Sequence, residues 1–213
     1  MVRRVTPGCN LEFVRRPGLN RPVTTTAAAA PPARRPAWHL FIPLLAGLVV
    51  AESLGIVARE LVVSPGAYPG PWFRLFFSDT LHLKAWLALS AAVLGVTQLF
   101  TAAWIFRKMP WARPRFVNIV HRWSGRLAFV LTIPVAYHCV FKLGFQTYDT
   151  RVAVHSFFGV ALYGAFAAKV LIVRMHRFPT WALPLAGGLL FVALIGAWWT
   201  SSFWFFRQVG EGL

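Results

Sequence analysis

VNIVHRWSGRLAFVLTIPVAYHCVFK, Val117 to Lys142, is the stretch on which the fold turns. It is predominantly apolar and long enough to cross a hydrocarbon core of about 30 Å, which takes roughly 20 helical residues. It also carries a histidine toward each end, His121 and His138. Runs of the same kind cover residues 38–58, 81–106, 153–174 and 181–206. Backbone groups inside a bilayer must be satisfied within their own segment, so each run predicts a helix. The expected architecture is an all-α integral membrane protein of five transmembrane helices with a four-helix bundle at its core.

Composition agrees with that reading. Of 213 residues, 57% are hydrophobic and 13% charged, which does not suit a soluble domain. Lys and Arg number 22 against 6 Asp and Glu, a net charge of +16. In a soluble chain this would point to nucleic acid; in a membrane chain it is first a topology signal, and no nucleic-acid partner is expected. Seven of the arginines fall in residues 1–36, with a TTTAAAAPPA run, which predicts a disordered basic cytoplasmic tail. Residues 37–207 form the predicted five-helix domain, and 208–213 a short C-terminal tail. RKMPWARPR (Arg107–Arg115) and RMHR (Arg174–Arg177) place further positive charge on the tail's side. Arg59, Glu60, Arg74, Asp79, Asp149 and Arg151 nearly cancel on the other. The positive-inside rule then puts the N-terminus in the cytoplasm and the C-terminus outside. The link over residues 59–80, rich in Pro, Gly and aromatics, reads as an interfacial cap on the outer helix ends.

With the topology assigned, the six histidines sort into two layers. His39, His121 and His176 fall toward the cytoplasmic end, and His82, His138 and His155 toward the outer end. Ionisable side chains are expensive in a bilayer and are usually functional there. A b-type haem in a helical bundle is held by neutral imidazoles on separate helices at one depth, without covalent attachment. His121 and His138, 17 residues apart, are separated by about 25 Å along one helix, so they belong to different leaflets. The same spacing leaves them about 100° apart around that helix; either Pro134 shifts the phase between them or only one of the two is a ligand. In the outer layer His82 with His155 is the first pairing and His138 with His155 the second. In the inner layer His121 has His39 or His176 as partner. Arg122 and Arg126 lie by the inner layer, and Lys84, Lys142 and Arg151 by the outer, where cations would meet haem propionates or snorkel to lipid headgroups. Lys169 is read as a snorkelling residue. Glu52, well inside the first helix, is a proton relay or a partner of Arg59. Cys9 and Cys139 offer neither a disulfide framework nor a CxxC motif.

HRWSGR (His121–Arg126), AYHCVF around His138 and RVAVHSFFG (Arg151–Gly159) together resemble the cytochrome b561 and ferric-reductase-like transmembrane superfamily. The resemblance covers about residues 80–206 and extends to uncharacterised five-helix bacterial membrane proteins of that type. It implies a four-helix core binding one or two haem b groups through paired histidines. It also implies electron transfer across or within a bacterial plasma membrane, with a redox protein or quinone as partner. The spacing of 17 on one helix is longer than the ferric-reductase pattern, which leaves the ligand set open. The rival expectation is a haem-free anchor or assembly subunit of a larger membrane complex. A transporter reading lacks the broken helices of that class.

Overall fold

The computed structural model describes residues 37–60, 73–175 and 178–211, all of them helix or connecting turn and none of them strand. A short 3-10 turn, Ala37–Leu40, leads into α1 (Phe41–Glu60). Then follow α2 (Thr80–Ile105), α3 (Val117–Tyr137), α4 (Thr150–Met175), α5 (Ala182–Trp198) and α6 (Trp204–Glu211). A π turn, His138–Leu143, extends α3, and a second, Trp199–Phe203, joins α5 to α6. Five helical runs are long and apolar enough to cross a membrane: Phe41–Glu60, Thr80–Ile105, Val117–Leu143, Thr150–Met175 and Ala182–Val209. The chain is therefore a multi-pass helical protein suited to a lipid bilayer. Large apolar side chains such as Leu45, Val49, Phe100, Leu127, Leu189 and Val192 are more than half exposed or close to it. In water such a belt would be an aggregation surface, and in a bilayer it is the lipid face.

Two boundaries differ from the sequence expectation. α4 starts at Thr150 rather than at residue 153, because the Ala153 N–H already reaches the Asp149 carbonyl at 2.8 Å. The last helix continues through Glu211, so residues 208–211 are helical rather than a tail. Of the link over 59–80, residues 61–72 lie outside the described part; Phe73 does pack on the outer end of α3, against Tyr137 and His138. The basic tail over residues 1–36 likewise falls outside the described residues.

Small residues set the packing, as expected where lipid offers no hydrophobic drive between helices. Gly47 and Gly164 bring α1 and α4 so close that a Cβ on Gly164 would lie 2.5 Å from the Gly47 carbonyl oxygen. Ala85, Ala91, Ala92 and Gly95 give α2 a narrow, buried face. The neighbours run α3, α2, α5, α4, α1, each packed against the next. α3 and α4, which would close the ring, hardly touch along their backbones. At mid-depth they are bridged by side chains: Phe129 stacks on Phe166 with centroids 4.0 Å apart, and the Tyr163 hydroxyl donates to the Thr132 carbonyl at 3.1 Å. Toward the end where α4 begins, the connection from α3 is tied to α4 by the Gln146 N–H to Ser156 Oγ and the Ser156 hydroxyl to the Gln146 carbonyl. The α3–α4 side is thus stitched at that end and open at the other. Here "outer" denotes the end where α2 and α4 begin, and "inner" the end where α3 begins.

Candidate functional site

The opening between α3 and α4 holds a file of three cavities. The outer one, about 500 Å³, is lined from four helices by Lys84, Cys139, Arg151, His155, Ser201 and Phe205 among others. A small central one, about 100 Å³, shares His155 and Cys139 with it and adds Thr132 and Tyr163. The inner one, about 820 Å³, shares Thr132 and Tyr163 with the central cavity. It continues past His121, Arg122, Arg126, Lys169 and Arg174. His155 and Tyr163 are therefore the walls between successive spaces. No carboxylate lines the outer or inner cavity among the described residues.

His155 is held by the π turn of the fifth span. Thr200 and Ser201 donate their hydroxyls back to the Gly196 and Ala197 carbonyls, at 2.8 and 2.7 Å. Hydroxyls that bond back one turn compete with the backbone ladder, and the helix widens over Trp199–Phe203. Two carbonyls thereby become available to side chains. The His155 ring nitrogen Nδ1 lies 3.1 Å from the Ala197 carbonyl oxygen and 3.2 Å from Thr200 Oγ1. Arg151 donates to the Thr200 carbonyl at 2.8 Å while its guanidinium lies 4.1 Å over the Trp204 ring. A carbonyl only accepts, so His155 Nδ1 carries the proton and Nε2 keeps its lone pair.

His121 reaches the same state by different means. Its Nδ1 is 2.8 Å from Thr101 Oγ1, whose own proton is given to the Thr97 carbonyl at 2.7 Å. With the hydroxyl proton on that carbonyl, the threonine oxygen accepts from Nδ1 and Nε2 holds the lone pair. The backbone around His121 is fixed by Gln98 of α2, whose amide donates to the His121 carbonyl and, at 2.7 Å, to Ser124 Oγ. Gly125 leaves the room: a Cβ there would lie 3.0 Å from the Gln98 side chain.

The other sequence candidates are placed differently. His138 is fully buried, its Nδ1 2.9 Å from the Pro134 carbonyl and its ring 4.4 Å from Phe73, and it lines none of the three cavities. The π turn begins at His138 itself, so it adds no turn of phase between His121 and His138. The two do not share a face toward the cavities, and Cys139 rather than His138 faces the outer one. His82 stands at the outer rim, part-exposed, with Nδ1 2.6 Å from Asp79 Oδ2 and its ring edge-on to Phe205 at 5.2 Å. Phe205 lines the outer cavity and His82 does not. The His82 backbone N–H and imidazole hold the Asp79 carboxyl below its ordinary 3.8. His39 contacts Trp38 and Phe178, away from the inner cavity. His176 lies outside the described residues. Of the cations, Arg122, Arg126, Lys84 and Arg151 line the inner or outer cavity, while Lys142 is 1% exposed and lines none of the three. Glu52 lies on a separate groove formed by α1, α4 and α5, with Arg59 and Glu60.

Tested against haem, these residues fit in part. Each large cavity offers one imidazole whose Nδ1 is already anchored, which is how ligating histidines are usually oriented, with cations beside it for two propionates. No second imidazole lines the same cavity among the described residues. Nor do three His, Cys, Asp or Glu side chains gather anywhere among them as a metal-ion site. Sequence reasoning found His121 and His155 but missed Thr101, Gln98 and Thr200, which lie 20 or more residues away in the chain. A polar residue inside an apolar run was their only visible signal. No curated protein and no solved structure matches the chain. A family model matches residues 40–212, nearly the whole of the described bundle. The chain therefore belongs to the family of unknown function DUF6529.

Proposed function

We propose that the chain is a b-type membrane cytochrome, with haem in the outer cavity on His155 and in the inner cavity on His121, passing electrons between partners at the two ends of the bundle. The observation that supports this is the paired arrangement of two cavities in file, each with an imidazole anchored through Nδ1 and presenting Nε2. When bound, haem supplies a one-electron redox centre at its iron. The protein's part is to hold and tune it. Thr200 with the Ala197 carbonyl, and Thr101, keep the two rings from turning. Lys84 and Arg151, and Arg122 and Arg126, supply positive charge for propionates, and the apolar walls exclude water. His82 is a further imidazole at the outer end, one aromatic ring away from the cavity. The bundle sits in a bacterial plasma membrane with its N-terminus in the cytoplasm, on the charge distribution, and exchanges electrons with a quinone or a partner redox protein.

Purified protein from haem-replete expression tests this. A b-type α band in the reduced-minus-oxidised spectrum, with one or two haems per chain, is expected. Colourless protein that copurifies stoichiometrically with other membrane subunits would sink the reading and favour the haem-free anchor.

A further inference from the structure

We infer that Lys169 supplies the second ligand to the iron of a haem in the inner cavity, opposite His121. The inference rests on the cytochrome reading and adds to it a ligand that the histidine pattern does not contain. Lys169 lines the inner cavity from α4, and His121 lines it from α3. These are the two helices whose backbones stay apart, so the space between the two side chains is cavity rather than packed core. Their depths match. His121 is four residues in from the start of α3 and Lys169 six from the end of α4, or about 6 and 9 Å from the inner ends.

The spacing along α4 gives independent support. His155 and Lys169 are 14 residues apart, which at about 100° per residue falls some 40° short of four full turns and spans about 21 Å. One stripe of α4 therefore presents a nitrogen donor to the outer cavity and another to the inner. The neighbouring cations cannot take this role. Arg122, Arg126 and Arg174 also line the inner cavity, but a guanidinium keeps its proton in proteins and has no lone pair to give. They leave Lys169 unneeded as a counter-charge. On coordination the ammonium releases its proton to solvent and the amine lone pair forms the bond to iron; no electron moves.

The test uses full-length chain carrying His155→Ala, so that only the inner haem remains, with electron paramagnetic resonance of the oxidised protein and the haem-to-protein ratio as readouts. In that background Lys169→Ala and Lys169→Arg are both expected to lose the low-spin signal, either by conversion to high spin or by loss of the haem. A folded control is the same pair of variants with His155 intact, which should elute as the parent does and keep the outer haem. Retention of the low-spin signal by Lys169→Arg would overturn the inference, because charge alone would then suffice. So would loss of that signal in His176→Ala or His39→Ala with Lys169→Ala unchanged. A wild-type chain with one haem that depends on His155 would overturn the inference and leave the cytochrome reading standing. A wild-type chain with no haem would remove both.

Discussion

At the outer end two helices widen into π turns, α2 begins on a side-chain cap, and Gln146 with Ser156 ties the α3–α4 connection to α4 beside a cavity of about 500 Å³. At the inner end α2 and α3 stay α-helical around His121, α3 begins on Phe116 without a side-chain cap, and the cavity grows to about 820 Å³ with α3 and α4 apart. The two ends nonetheless bring an imidazole to one state, Nδ1 engaged and Nε2 presented. The outer end does it with backbone carbonyls that a widened helix has released. The inner end does it with a polar cluster, Thr101, Gln98 and Ser124, placed between two regular helices. The same ring orientation can thus be reached by altering the backbone or by importing side chains, and the two solutions should fail independently.

The sharpest way to break the comparison is to remove each imidazole in turn. His155→Ala should remove the outer haem and leave the inner one, and His121→Ala the reverse. Each would take away about half of the bound haem if the two sites are both filled. Loss of both haems in either variant, measured as haem per chain, would mean one site and not two. Next in size are the residues behind the rings. Thr200→Val at the outer end and Thr101→Val at the inner should each weaken haem affinity at their own site by about 10- to 100-fold, the usual effect of deleting an orienting partner. Titration of apoprotein with haem, in single-site backgrounds, measures this. An effect of Thr101→Val on the His155 site would contradict the independence of the ends.

The smallest expected effect concerns Asp79. Its carboxylate caps α2 through the His82 N–H at 2.9 Å, and this bond keeps the folded-state carboxyl below 3.8. A depressed carboxyl stabilises the folded form above its ordinary value and loses that effect as the pH falls below 3.8 toward the folded value. Asp79→Ala should therefore raise amide exchange at residues 81–83 near neutral pH, with the difference from the parent shrinking as the pH falls below 3.8. The uncapped start of α3 should show no such dependence. Equal behaviour at both helix starts would remove the distinction.

Much of this architecture was legible in the residue pattern. Five apolar runs marked the spans, because length and hydropathy are local properties. The layering of His121 and His155 toward opposite ends followed from charge and helix rise. The angular mismatch between His121 and His138 was also visible in their spacing, and it corresponds to two different surroundings. What stayed hidden was relational. Periodicity tells which residues share a stripe of one helix, and says nothing of which neighbour that stripe will meet. So Thr101 and Thr200 carried no mark of their histidines, and Lys169 looked like any lysine near a membrane surface. The π turns were hidden for a related reason. The one over Trp199–Phe203 arises from a balance between hydroxyl and backbone bonding that many Thr-Ser pairs do not tip.

The π turn at Trp199–Phe203 has a consequence for how this chain tolerates length change. Relative to a continuous α-helix, such a turn holds about one residue more, and every position beyond it is rotated by about 100°. That rotation is what brings Trp204 under the Arg151 guanidinium and Phe205 against His82. Deleting a single residue between Trp199 and Phe203 would leave a regular helix just as apolar, of almost the same length, with both aromatics indexed to the wrong neighbours. The outer end of the molecule is in this sense counted as well as composed.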